Sequence, residues 1–299
     1  MQILSVRHVT VYRYRRPVGF GEHRLLLRPR DSADQRLLDF ALTIDPVPSE
    51  LRWTLDAFGN NLAVARFDRR AAELRVESRM RVEHRPMGPP DGLLRDRALS
   101  WPFAYASDEV PDLARSAERH HRDPDHAVAT WARRFVRSGG PTDTVRMLAD
   151  MATAIRHDFN YLVRDEKGVQ EPHDTLRLNS GTCRDFALLM MEAARSLGLA
   201  ARFVTGYLHH PRGRSGVQGA GATHAWATIY LPGAGWVEYD PTNAIVGGRD
   251  LIRVAMARDP QQAIPLSGGW TGFAGDFLGM TVSVEVSDVS GGDGNADIP

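Results

Sequence analysis

The stretch Asn179-Ser-Gly-Thr-Cys-Arg-Asp-Phe-Ala-Leu-Leu-Met-Met-Glu-Ala-Ala-Arg-Ser-Leu-Gly198 decides how this chain is read. It holds Cys183, the single cysteine of 299 residues. A polar turn becomes a helix here, predicted from about Thr182 to Leu197, with Gly198 as a natural residue to end it. Phe186, Leu189, Met190, Ala193 and Leu197 form its apolar face. A cysteine that served only packing would sit within that face. Cys183 instead stands ahead of it, behind the flexible Ser180-Gly-Thr182. Unpaired N–H groups and the dipole at a helix start favour negative charge, which suits a thiolate nucleophile.

His224 and Asp240 follow, at the two ends of a predicted hairpin of His224–Leu231 and Trp236–Tyr239, with Ala201–Leu208 a strand ahead of it. Each has a bland reading on its own. A strand histidine is often a satisfied polar residue, and an aspartate before Pro241-Thr-Asn243 is often a turn initiator. Together, the order Cys…His…Asp suits a thiol nucleophile, a general base and a residue that orients the base. The hairpin register tests this. A four-residue loop, Pro232–Gly235, would set Asp240 opposite Ala227, on the other sheet face from His224. A bulge or an odd-length loop keeps the two on one face. With Asp240 opposite Trp226, His224 is diagonal to it, about 7–8 Å away between Cα atoms.

The whole chain narrows the classes. Formal net charge is zero and the pI about 7.2, so no long-range field draws it to nucleic acid or to a membrane surface. Hydrophobic content of 42% suffices for a core in each of two domains. One cysteine excludes an internal disulfide and a cysteine-rich zinc site. The opening MQILSVRHVTVYRYRRPV has no apolar signal core, and no run of 18 apolar residues occurs. A cytoplasmic location, where the thiol stays reduced, is the expectation.

Residues 1–86 read as a β-rich domain, an antiparallel sandwich with strands at Val9–Tyr14, Arg24–Arg28, Asp39–Ile44, Leu62–Phe67 and Leu74–Val82. Residues 87–104 carry Met87-Gly-Pro-Pro-Asp-Gly92 and read as a linker. Residues 105–250 form the second domain. Its helices are expected at Asp108–Arg119, Asp125–Arg137 and Thr142–His157, the last with Thr142 as N-cap, before the cysteine helix and the strands. Helices followed by strands indicate α+β, a helical lobe packed on an antiparallel sheet. Residues 251–289 are an extension with one more strand at 280–286, paired back onto a sheet, and 290–299 a disordered tail.

Other candidates carry less. His120, His121 and His126 lie in a polar run that reads as solvated surface rather than a metal site. His209 and His210 begin a Gly/Arg-rich loop from 209 to 222, expected to be mobile, to border the site and to touch substrate. No Walker loop, GxGxxG fingerprint or HExxH motif is present.

The segments GTCRDFALLMMEAARSLGLAARFVTGYL and THAWATIYLPGAGWVEYDPTN resemble the core of the transglutaminase-like superfamily. VTVYRYRRPVGFGEHRLLLRPR and DAFGNNLAVARF resemble the β-rich leader domain of its bacterial members. The resemblance covers roughly residues 1–245 and rests on the joint pattern of Cys-x-Asp-Phe-Ala, Gly-Tyr, His-Ala-Trp and Asp-Pro-Thr. It implies a papain-like catalytic domain with Cys183 as nucleophile, His224 as base and then acid, and Asp240 holding the imidazole. An acyl group from a protein or peptide amide would form a thioester on Cys183 and pass to water or an amine. The Cys183 N–H would meet the oxyanion with a second donor, Tyr161 or Asn160; Trp226 is a further candidate contact. Leu188 stands where many bacterial relatives have histidine. The acidic calcium loops of the animal cross-linking enzymes have no counterpart, and no cofactor is expected. Hydrolysis is favoured over transamidation because no amine site is visible. The rival of another class is a non-catalytic interaction protein that keeps the fold. A redox sensor is remoter, since no second cysteine can resolve an oxidised Cys183.

Overall fold

The computed structural model describes residues 1–162, 168–210, 218–219 and 221–291. The expected disorder of the tail lies largely outside these residues, as does most of the 209–222 loop.

The first 84 residues build five antiparallel strands: β1 (Gln2–Arg28), β2 (Gln35–Asp45), β3 (Glu50–Leu55), β4 (Asn61–Arg66) and β5 (Arg70–His84), in the order β2-β5-β1-β4-β3. Arg15-Arg-Pro17 looks like a strand break, yet β1 runs through it. Pairing with β5 skips from Arg13 to Val18, so Pro17 falls where no ladder hydrogen bond is required of it. Such irregularities bend a strand. The sheet curls until Phe40 of β2 and Trp53 of β3 meet edge to face, 5.8 Å between centroids. Tyr14, Val18, Phe20, Leu25, Leu27, Leu74 and Val76 fill the inside of the curl.

The helical part follows. Strand β6 (Ser100–Trp101) leads to α1 (Val110–Ala117) and α2 (Ala127–Arg133). Strand β7 (Thr142–Asp143) pairs with β6, and α3 (Thr144–Asp158) starts after it. Asp143, not Thr142, caps α3, accepting from the Arg146 N–H at 2.8 Å. Thr142 is held instead as an acceptor for the Arg137 N–H. Strand β8 (Asn160–Tyr161), α4 (Pro172–Leu178), strand β9 (Ser180–Gly181) and α5 (Cys183–Ser196) complete the lobe. Short α4 begins at proline and has little apolar periodicity, which is why the sequence did not reveal it.

The second sheet is β13-β12-β11-β10-β14, built from β10 (Ala201–Leu208), β11 (His224–Leu231), β12 (Gly235–Asp240), β13 (Ile245–Val246) and β14 (Leu251–Ala257). The sheet therefore extends past residue 250, where the sequence signal fades. Leu251-Ile-Arg-Val-Ala-Met-Ala257 lacks polar alternation because both faces are covered. Strands β15 (Leu266–Thr271) and β16 (Phe277–Asp288) then return to β1 and join the N-terminal sheet.

Helix α5 packs on one face of the second sheet, with Phe186, Leu189, Met190 and Ala193 in one cluster with Ala225, Ala227 and Ile229. The N-terminal sheet covers the other face: Leu4, Val6, Met80 and Val82 meet Tyr207, Ile252 and Val254. Each such side chain contributes roughly 1.5–3 kcal/mol on full burial. This seam is thus a core in its own right.

Candidate active site

Cys183 is the first residue of α5 and is buried. The helix starts there because Thr182 and Asp185 cap it reciprocally. Thr182 Oγ1 accepts from the Asp185 N–H, and the Asp185 carboxylate accepts from the Thr182 N–H at 2.8 Å and hydroxyl at 2.9 Å. Asp185 also accepts from the Gln170 N–H at 2.7 Å, tying the preceding loop to the helix start. The first-turn N–H groups of a helix have no intrahelical partner, and Cys183 stands at that end of α5. Gly198, at φ +81°, ends the helix.

The hairpin has the register that unites histidine and aspartate. Leu231 pairs with Gly235 and Ala227 with Tyr239, so the connection is the three residues Pro232–Ala234. His224 and Asp240 share a face, and His224 Nε2 donates to Asp240 Oδ2 at 2.8 Å, both side chains fully buried. Asp240 is itself held. Its Oδ1 accepts from the Thr242 N–H at 2.9 Å, and its Oδ2 accepts a second bond from Asn243 Nδ2 at 2.8 Å.

Burial opposes a charged imidazole at His224. The Asp240 carboxylate and its hydrogen bond, with the Cys183 thiol adding to them, outweigh that and raise the pKa from 6.5 to about 10. The second ring nitrogen, Nδ1, is buried and makes no formed hydrogen bond. The thiol is close enough to act on the ring without meeting that geometry. Cys183, His224 and Asp240 are therefore brought together.

Strand β8 pairs in parallel with β9, setting Tyr161 beside Gly181. Its ring packs edge-on against Phe186, 6.3 Å between centroids. Burial, then the neighbouring Cys183 and the Asp240 and Asp185 carboxylates, hold the Tyr161 hydroxyl well above its ordinary pKa. It remains a proton donor at neutral pH. Asn160, the alternative donor, is exposed and points off the other side of the two-residue strand. Trp226 is no surface contact. It is fully buried behind His224, ring centroids 5.9 Å apart, and packs with Val204, Leu208 and Leu251.

The remaining candidates lie elsewhere. His121 bridges Glu171 at 3.0 Å and Asp259 at 3.1 Å, which raises its pKa through the Asp259 bond against partial burial. His120 bonds the Arg115 carbonyl. No cluster of three or more histidine, cysteine or acidic residues among the described residues is arranged to hold a metal ion. His209 is buried at the end of β10, its N–H on the Asp250 carbonyl. A cavity of about 220 Å³ between the two sheets is lined by Asp34, Glu238 and Arg253, but by none of Cys183, His224 or Asp240. Arg253 pairs with both of those carboxylates at 2.7 Å, so these charged groups in the cavity wall satisfy one another.

Asn243, Thr242 and Gln218 contact the site and were not singled out from the sequence. The Asp-Pro-Thr-Asn turn carried the signal, but only a three-dimensional turn shows which groups face back to the carboxylate.

Fold and site together define an α+β protein with a thiol, an imidazole and a carboxylate in a row at a helix start. Comparison with known proteins agrees. Residues 4–83 match the bacterial transglutaminase-like N-terminal region, and residues 129–241 the transglutaminase-like superfamily. Uncharacterized proteins of Mycobacterium bovis and Mycobacterium tuberculosis are 32% identical over 273 residues, 88% of this chain and 86% of theirs. One from Mycobacterium leprae is 28% identical over 94% of this chain and 98% of its own. A crystal structure from Cytophaga hutchinsonii, described as that of "a Putative Cysteine Protease", superposes with a TM-score of 0.72 at 18% identity, over 100% of this chain and 92% of that one. The chain belongs to the transglutaminase-like superfamily.

Proposed function

We propose that this protein is a thiol-dependent acyl-transfer enzyme acting on protein or peptide amides. The observation that carries the reading is the buried His224, hydrogen-bonded to Asp240 at 2.8 Å and adjacent to the Cys183 thiol at the start of α5. With its pKa raised to about 10, His224 holds the proton at neutral pH, and the reacting form of the pair is thiolate and imidazolium.

The thiolate attacks the amide carbonyl carbon, forming the C–S bond while the carbonyl electron pair moves to oxygen. The Cys183 N–H and the Tyr161 hydroxyl donate to that oxyanion. As the carbonyl re-forms, the C–N bond breaks and the amine leaves with the proton of His224. His224, now neutral, takes a proton from an incoming water or amine, which displaces the thiolate from the thioester. Asp240 keeps the ring oriented throughout. Water as the acceptor makes the enzyme a hydrolase, and the Cytophaga neighbour's description supports that choice. A lysine or other amine as acceptor makes it a transamidase.

The test is mass spectrometry of Cys183 during incubation with glutamine-containing peptides and a small primary amine. An acyl adduct on wild type but not Cys183→Ser, with free acid or glutamate as product, supports hydrolysis. Amine incorporation supports transamidation. Absence of any adduct, with Cys183 alkylation unchanged by His224→Ala, would falsify the enzymatic reading and leave the interaction protein.

A further inference from the structure

We propose that Asn243 is a positioning residue of this site, an amide clamp that fixes the Asp240 carboxylate and the Gln218–Gly219 backbone around the His224 ring. The inference rests on the enzymatic reading above and adds a residue to it.

The geometry is specific. Asn243 Nδ2 donates to Asp240 Oδ2 at 2.8 Å, the same oxygen that accepts from His224 Nε2 at 2.8 Å. The same amide grips Gln218 on both backbone groups: Oδ1 accepts from the Gln218 N–H at 2.9 Å, and Nδ2 donates to the Gln218 carbonyl at 3.2 Å. Next to Gln218, Gly219 adopts φ +86°, and a Cβ there would lie 2.7 Å from His224 Nδ1. One side chain therefore sets both edges of the imidazole. Through Asp240 it orients Nε2, and through Gln218 it lays Gly219 against Nδ1, the nitrogen left to serve the thiol. The ionisable groups around this arrangement are Cys183 on α5, Tyr161 on β8, His224 on β11 and Asp240 on β12, with Asp185 acting on Tyr161.

An amide is the group this place requires. Asp240 Oδ2 and the Gln218 carbonyl each take a donor and the Gln218 N–H needs an acceptor, and a carboxamide offers two donors and an acceptor from one side chain. A carboxyl at 243 supplies the acceptor but faces Asp240 with a second acceptor. It can restore the donor only by taking a proton, since two adjacent carboxylates resist joint ionisation. This gives a signature that a merely structural role lacks.

The experiment is the rate of Cys183 alkylation by iodoacetamide from pH 5 to 9 in wild type, His224→Ala, Asn243→Ala and Asn243→Asp, with thermal midpoints recorded. Asn243→Ala is expected to label about tenfold more slowly than wild type near pH 6.5, the worth of one hydrogen bond to a charged group. Asn243→Asp is expected to be as slow at pH 7 and to recover toward the wild-type rate as pH falls to 5, which Asn243→Ala does not. Wild-type rates in both variants overturn the proposal. So does an equal loss at every pH in both, accompanied by lowered midpoints, which is the mark of general destabilisation. If wild type labels like His224→Ala, the thiol–imidazole reading itself fails and the clamp falls with it, an outcome recognisable without the Asn243 variants.

Discussion

Asp240→Asn changes one atom and should separate charge from geometry. The carboxylate accepts three bonds: from His224 and Asn243 on Oδ2 and from the Thr242 N–H on Oδ1. An amide keeps its oxygen toward the two donors on Oδ2 and must then aim its NH2 at the Thr242 N–H, a donor facing a donor. The ring stays in place, but the charge that held its proton is gone. Burial, opposed now only by the Cys183 thiol, lowers the His224 pKa from about 10 in wild type. At pH 8 the ring then carries much less charge than in wild type, where it is almost wholly charged. The thiol loses its imidazolium partner. Leaving an unpaired buried ion would cost about 3–5 kcal/mol, but His224 escapes most of this by neutralising. The midpoint of unfolding should drop at pH 6.5, where the pair's stabilisation is complete, and iodoacetamide labelling there should fall by roughly 30- to 100-fold. Labelling unchanged at pH 6.5, in a variant that folds, would refute the ion-pair reasoning.

Tyr161→Phe should lower turnover about 10²–10³-fold, as loss of one oxyanion donor does, without slowing Cys183 alkylation, which builds no oxyanion; equal losses in both assays would place Tyr161 in thiol activation instead. Gly219→Ala sets a methyl against His224 Nδ1 in a backbone region that alanine avoids, and should slow alkylation and lower the thermal midpoint. The His224–Asp240 pair has a raised folded-state pKa, so its stabilisation is complete below about 6.5 and is lost as pH rises through about 10; the stability gap between wild type and His224→Gln, measured by urea unfolding, should narrow across that window. Gly206→Ala drives a Cβ into the Ile252 backbone carbonyl where β10 meets β14 and should cost several kcal/mol, read as a lower midpoint of urea unfolding.

Those elements were legible in the sequence that carry their own periodicity or caps. Thr182-x-x-Asp185 announces the start of α5, and Gly198 its end. Strands β10 and β11 fall at the residues expected, because each is apolar and bounded by turn residues. The hairpin was legible only as a condition, since loop length and face are linked by the strand's period of two. What stayed hidden depends on long-range pairing. Nothing local in Leu266–Thr271 says that it will pair with Gly19–Leu25. Residues 15–17 read as a break because the pairing that tolerates Pro17 involves a strand more than fifty residues away.

The same distinction explains which site residues were found. Cys183, His224 and Asp240 carry chemistry in their side chains, so residue type and order suffice to nominate them. Asn243 and Gly219 act through placement. Their identities are common in turns, where an asparagine usually bonds its own backbone and a glycine usually relieves a positive φ. Here the turn after β12 reverses the chain so that Asn243 faces Asp240, three residues back, while the segment before β11 brings Gln218 to the same amide. The hairpin thus has supports outside its ladder, one on the carboxylate and one on the imidazole, joined in a single side chain. A buried His–Asp pair needs such a support. The ladder fixes Cα positions, but Asp240 Oδ2 can serve His224 at 2.8 Å only if its χ angles are held, and it is the Thr242 N–H and the Asn243 amide that hold them.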